Sequence, residues 1–113
     1  MENNYKLYRI REMASGDETF VLALIDAFLE EIPSDLNHLK EAVLNSDFRN
    51  IKYYAHKMKP TLDLFETGLV GHAVTLESTT EDGTKNVDIQ ETFSELNARI
   101  NQILQELRTD FNR

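Results

Sequence analysis

The chain has no cysteine and no tryptophan, and only two prolines and four glycines among its 113 residues. Without cysteine, neither a disulfide framework nor a thiolate metal site can form. The longest apolar run, residues 20–25, is only six residues long, which is far too short to span a bilayer. Residues 1–13 alternate polar and apolar side chains and do not resemble a signal peptide. We therefore expect a soluble intracellular protein, located in the cytoplasm.

Basic residues are also scarce. Twelve lysines and arginines stand against 20 aspartates and glutamates, giving a formal net charge of −8. General nucleic-acid binding depends on neutralising many phosphates with cations, so this charge argues against it, and against an anionic membrane surface. The length fits a single domain, residues 1–113, that buries one core.

The scarcity of glycine and proline, with no strand-length alternation of apolar and polar residues, predicts an all-α fold. Residues 5–14 form a short amphipathic helix that we expect to cap one end of a bundle. Asp17 is suited to N-cap a second helix whose inward face carries Phe20, Leu24 and Phe28. Pro33 disfavours helical geometry at Ile32. We therefore predict a kink or a break there, followed by a restart at residue 34 or 35 that runs to about residue 45.

Three further helices complete the predicted fold. Residues 46–47 form a turn and cap before a helix that contains His56, and Thr67-Gly68 ends it. Residues 69–78 form one more helix, followed by a loop over residues 79–86. Asp88 and Glu91 have capping-box spacing before the last helix, whose apolar residues recur in heptad steps. Together these elements predict an up-down antiparallel four-helix bundle with a short N-terminal capping helix.

The helix around His56 carries two stripes of residues at steps of three and four. The apolar stripe, which such spacing places on the buried face, consists of Phe48, Ile51, Ala55, Met58, Leu62 and Phe65. The second stripe places Lys52 one turn before His56 and Lys59 one turn after it. No acidic residue occurs from position 48 to position 62, so His56 lies in a local positive field within an acidic protein. A neutral imidazole is a competent nucleophile near neutral pH.

The run Ala55-His56-x-x-Lys59 resembles the signature of histidine-containing phosphotransfer domains, the relay modules of multistep two-component signalling. Ser15-Gly16-Asp17, followed by Phe20 and Phe28-Leu29, resembles the opening helix of that family. Leu76-Glu77 follows His56 at the distance where the family often carries Leu-Glu. The resemblance covers roughly residues 5–110.

This resemblance implies that His56 accepts a phosphoryl group from the aspartate of one receiver domain and passes it to another, with Lys59 neutralising the phosphoryl charge. The expected partners are response-regulator receivers and a hybrid sensor histidine kinase. The module would be a carrier rather than a turnover enzyme and would have no cofactor of its own, because the magnesium ion belongs to the partner receiver. No metal site of its own is expected, and nothing requires an oligomer, so we expect a monomer.

Two residues depart from the family pattern. Pro60 stands where the family has glycine; it lacks an N–H and its ring collides with the carbonyl of His56, which predicts a local kink. Glu66 stands where many members have glycine just before the helix ends, and it either tunes partner choice or has no role. We predict partner docking through Lys52, Lys57, Pro60 and Asp63. Asp63 either orients the site or pairs with Lys59 one turn away, and the spacing favours the pairing.

Two other functions remain open. A helical adaptor would keep the fold and bind a receiver without phosphoryl transfer. Pro60 and Glu66, which depart from the family pattern, leave this alternative open. A hydrolase using His56 as general base would need a substrate pocket and a second catalytic group, and the sequence indicates neither.

Overall fold

The computed structural model describes residues 4–79 and 89–113, and within them all regular structure is helical. The five helices are α1 (Tyr8–Ala14), α2 (Glu18–Leu44), α3 (Phe48–Leu64), α4 (Val70–Glu77) and α5 (Ile89–Phe111). The predicted all-α class is confirmed. None of the helices in these two stretches is both long and apolar enough to cross a membrane.

Helices α2, α3, α4 and α5 form a closed ring in which each helix packs on its two neighbours in the ring. Helix α3 packs on α2 and α4, α5 packs on the same two helices, and α1 lies against α2. The predicted apolar stripe of α3 is buried, with Ile51, Ala55 and Leu62 fully inaccessible. Phe65, just beyond α3, packs on Phe28 of α2 with ring centroids 4.5 Å apart. One core therefore fixes the rotation of α3, and its polar stripe faces outward.

Two predicted caps are confirmed. The Asp17 carboxylate accepts hydrogen bonds from the backbone N–H groups of Thr19 and Phe20 at 3.0 and 3.3 Å. The Asp47 carboxylate accepts from the backbone and side chain of Asn50 at the start of α3. Such bonds satisfy helix-end N–H groups that have no partner inside the helix. The predicted cap at Asp88 and most of the predicted loop over residues 79–86 lie outside the described residues.

Of the two alternatives predicted at Pro33, the break is wrong, because α2 continues through the proline as one helix of 27 residues, and the kink stays a prediction. Ile32 and Leu36, on either side of the proline, are both buried, so packing outweighs the local cost of the missing N–H. Phe20, predicted to face the core, is instead exposed. Helix α3 likewise continues through Pro60, and the local kink predicted there stays a prediction.

The first and third helices are shorter than predicted. Residues 5–7 precede α1, and the Lys6 N–H donates to the Phe65 carbonyl at 2.9 Å. Helix α3 ends at Leu64, before the predicted stop at Thr67-Gly68. Glu66 adopts a positive φ of 49°, a conformation that favours glycine. The turn that follows brings α4 back alongside α3.

Candidate functional site

His56 projects from the outer face of α3, and 73% of its side chain is exposed. The neighbouring Ala55 is fully buried, so the helical period that buries one residue exposes the next. The imidazole can therefore be reached from outside. A nucleophile that must meet a partner protein needs such access.

The Nδ1 atom of His56 lies 2.9 Å from Oε2 of Glu77, the last residue of α4. The same carboxylate also accepts from the Lys59 ammonium group, at 3.1 Å to Oε1 and 2.9 Å to Oε2. His56, Lys59 and Glu77 thus form one hydrogen-bonded triad across the α3–α4 interface. Lys59 is less exposed than His56: 26% of the Lys59 side chain is accessible, against 73% of the His56 side chain.

The charge state of Glu77 determines how the imidazole is held. The hydrogen bond from Lys59 is the largest cause that keeps the pKa of Glu77 below its ordinary value of 4.5, with partial burial acting in the opposite direction and His56 adding a smaller lowering. Glu77 is therefore ionised at neutral pH, and an ionised carboxylate can only accept hydrogen bonds. The hydrogen between the two residues must belong to Nδ1. In the neutral ring Nε2 then carries the lone pair, on a side chain that is largely exposed.

The other predicted site residues have different surroundings. Lys57 turns toward α2, where its ammonium group donates to Asp35 at 2.9 Å. Asp63 pairs with Arg9 of α1 at 3.1 Å, so the predicted pairing of Asp63 with Lys59 is wrong. Arg9 also donates to the Asp63 backbone carbonyl, which fixes the end of α3.

Lys52 and Pro60 are both exposed on α3. Lys52 lies one turn before His56 and forms no ion pair within residues 4–79 and 89–113. Side chains on a helix lean toward its N-terminus, so the His56 ring leans over the turn that carries Lys52. Lys52 is therefore a cation that no carboxylate of the described residues pairs with, whereas Lys59 is ion-paired with Glu77.

The sequence motif did not assign a role to Glu77, although it fell within the Leu76-Glu77 resemblance. Helices α3 and α4 are joined by the short segment 65–69, and a short connection makes neighbouring helices antiparallel. His56 and Glu77 lie ten to eleven residues on either side of Thr67, so they meet at the same level. Searching for an acid at the matching distance across the turn would have found this partner.

No group of three or more histidine or acidic side chains in the described stretches is arranged to hold a metal ion. A shallow cavity of about 250 Å³ lies between α2 and α5, lined by Pro33, Leu36, Asn37, Lys40, Asn97, Asn101 and Leu104. It contains none of the triad residues and therefore supplies no substrate pocket for His56.

Comparison of the chain with protein-family models, with curated proteins and with solved structures gave no match.

Proposed function

We propose that this protein is a phosphorelay carrier that takes a phosphoryl group onto Nε2 of His56 from the aspartate of one receiver domain and passes it to another. The observation that carries the proposal is the triad itself. An exposed imidazole has its Nδ1 occupied by Glu77, which leaves the lone pair on Nε2. That arrangement prepares one ring nitrogen, and only that one, for attack.

The transfer step needs no proton from the attacking atom. The Nε2 lone pair attacks phosphorus of the aspartyl phosphate, the N–P bond forms, and the bond from phosphorus to the carboxylate oxygen breaks. The aspartate leaves as a free carboxylate, and the Nδ1 hydrogen remains on the ring. The reverse sequence, with a second aspartate as nucleophile, discharges the carrier. No base is needed to activate the nucleophile, because Nε2 of the neutral ring has no hydrogen to lose.

Cations around His56 support the binding of an anionic group. Lys59 reaches the carboxylate that contacts the imidazole, so its ammonium group is close to the ring. Lys52 is exposed one turn away and available. Fixed positive charge near a transferring phosphoryl group stabilises the charge that develops on its oxygens. Lys59 is the proposed neutralising cation, and Lys52, Lys57, Pro60 and Asp63 remain the proposed docking residues.

The proposed fold, partners, location and oligomeric state follow the family resemblance. The ring of helix contacts supports a single-domain, up-down antiparallel four-helix bundle capped by α1. The proposed partners are receiver domains and a hybrid sensor histidine kinase in the cytoplasm. The partner receiver supplies the magnesium ion, so the carrier needs no cofactor and is not a turnover enzyme. We propose a monomer.

A direct transfer assay tests the proposal. Receiver domains charged with labelled acetyl phosphate are mixed with the protein, and acid-labile, alkali-stable label is followed. Wild type and His38→Gln should take up label, whereas His56→Gln should not. His38 is the matched control because it is also exposed and its Nδ1 is also held, by the Ser34 carbonyl at 2.8 Å. Binding of a receiver without any labelling would instead support the adaptor function.

A further inference from the structure

Glu77 accepts from Nδ1 of His56 both before and after the proposed transfer, and the two states differ in charge. Before transfer the ring is neutral, with hydrogen on Nδ1 and a lone pair on Nε2. After transfer Nε2 is bonded to phosphorus while Nδ1 keeps its hydrogen. A ring substituted at both nitrogens is positively charged. The carboxylate 2.9 Å from Nδ1 is therefore opposite a positive ring in the phosphorylated state.

The charge of the ring decides how easily the phosphoryl group leaves. When the N–P bond of the positive ring breaks, the bonding electrons return to Nε2 and the leaving group is a neutral imidazole. A phosphorylated ring that has lost its Nδ1 hydrogen would have to leave as an imidazole anion, a much poorer leaving group. An opposite charge within hydrogen-bond distance favours the charged form of a titratable group. The Glu77 carboxylate thus favours the labile form.

We infer that Glu77 is a positioning residue that keeps phosphorylated His56 reactive, so that the protein acts as a phosphoryl donor and not as a store. This inference rests on the proposed function and adds that the phosphorylated protein readily gives up its phosphoryl group. Glu77 touches neither phosphorus nor the attacking Nε2, and it acts only through the far side of the ring.

The other charged groups around His56 do not replace Glu77. On α3 the neighbours are the cations Lys52 and Lys59, which disfavour a positive ring. On α2 the Asp35 carboxylate is bound to Lys57. Glu77 of α4 is the one carboxylate that the described residues place in hydrogen-bond contact with the His56 ring. Removing its charge should therefore change the protonation of the phosphorylated ring directly.

The test uses phosphoramidate, a chemical donor that requires no receiver. The Nε2 lone pair attacks its phosphorus, the bond from phosphorus to the ammonia nitrogen breaks, and ammonia leaves. Loss of the phosphoryl group to water is then followed by phosphorus NMR between pH 6 and pH 10. Wild type is compared with Glu77→Gln, which keeps an accepting oxygen without the charge. The matched control is Glu95→Gln, which removes the carboxylate beside His72, 3.0 Å from its Nε2.

The dephosphorylation rate of both proteins should fall as the pH rises. The midpoint of this fall should lie about one pH unit higher in wild type than in Glu77→Gln. Near pH 8 wild type should lose its phosphoryl group on the order of tenfold faster, since a one-unit shift corresponds to a factor of ten. Glu95→Gln should follow wild type. Glu77→Asp retains the charge on a shorter side chain and should give an intermediate midpoint, which provides a second test if the glutamine variant does not fold.

Superimposable profiles for wild type and Glu77→Gln, or faster loss from the variant, would overturn the inference. Failure of phosphoramidate to modify wild type under conditions that phosphorylate free imidazole would overturn the assignment of Nε2 as an available nucleophile. If the pH profile of dephosphorylation differs between wild type and Glu77→Gln but no charged receiver labels the protein, the role of Glu77 is supported and the relay function is contradicted. If charged receivers label the protein but the two pH profiles coincide, the relay function is supported and the role of Glu77 is contradicted.

Discussion

Asp35 on α2 accepts a hydrogen bond from Lys57 on α3 at 2.9 Å, although the two side chains are in very different surroundings. The Asp35 side chain is 7% exposed and that of Lys57 is 51% exposed. The hydrogen bond to Asp35, followed by the attraction between the two charges, raises the pKa of Lys57 above its ordinary value of 10.5. The pair joins the helix of His56 to α2 through the residue next to the imidazole.

We expect the two halves of this pair to respond differently to mutation. Asp35→Asn leaves an ammonium group that water can solvate, and it should cost up to about 1 kcal/mol, the net value of one hydrogen bond. Lys57→Met leaves a nearly buried carboxylate without that donor and should cost more. Urea unfolding of both variants measures the difference. Equal losses would contradict the view that burial of Asp35 dominates.

Pro60 should lower the stability of α3. It cannot donate to the His56 carbonyl, and proline inside a helix costs about 3 kcal/mol relative to alanine. Pro60→Ala should therefore raise the free energy of unfolding by about 1–3 kcal/mol, with the larger value if no kink already relieves the collision. Lys52→Ala, an exposed change in the same helix, should stay within about 0.5 kcal/mol of wild type. A Pro60→Ala variant no more stable than this control would contradict the account.

The interaction of Glu77 with Lys59 and His56 should weaken in acid. The pKa of Glu77 is lowered in the folded protein, first by the hydrogen bond from Lys59. Its contribution to stability is thus fully present above about pH 4.5 and is lost as the pH falls through the lower folded value. The difference in unfolding free energy between wild type and Glu77→Gln should shrink over that interval. In a Lys59→Met background the pH dependence should be smaller, and an unchanged dependence would exclude Lys59 as its main cause.

The two lysines beside His56 should contribute unequally to transfer. Lys59 is held close to the imidazole, so Lys59→Ala should slow labelling from a charged receiver by roughly 10- to 100-fold. Lys52 is more exposed and its charge is screened by water, so Lys52→Ala should slow labelling only about 2- to 5-fold. The rates are compared by measuring the label on each variant at fixed times after mixing with the charged receiver. A larger effect at Lys52 would make it, and not Lys59, the phosphoryl contact.

The helical period predicted which face of α3 is buried, because the spacing of Ile51, Ala55 and Met58 fixes the rotation of the helix without knowledge of its neighbours. The exposure of His56 follows from the same period. The break that local rules allowed at Pro33 does not occur, because the burial of Ile32 and Leu36 keeps the helix continuous. Propensity measures a local cost, and tertiary packing exceeds it there.

The partners of the polar side chains could not be predicted in the same way. The contacts of Glu77 with His56, Lys57 with Asp35 and Asp63 with Arg9 join residues on different helices. Each depends on the level at which two helices lie side by side, and apolar spacing along one helix does not contain that information. The α2–α3 and α3–α4 pairs do carry a signal, because their connections, residues 45–47 and 65–69, are short enough to fix the register.

The most direct test of the central claim is to locate the phosphoryl group after incubation with charged receivers, by fragment mass spectrometry at alkaline pH. We predict one phosphorylated residue, His56, in wild type and His38→Gln, and none in His56→Gln. Phosphate on another residue, or label that persists in folded His56→Gln, would contradict it.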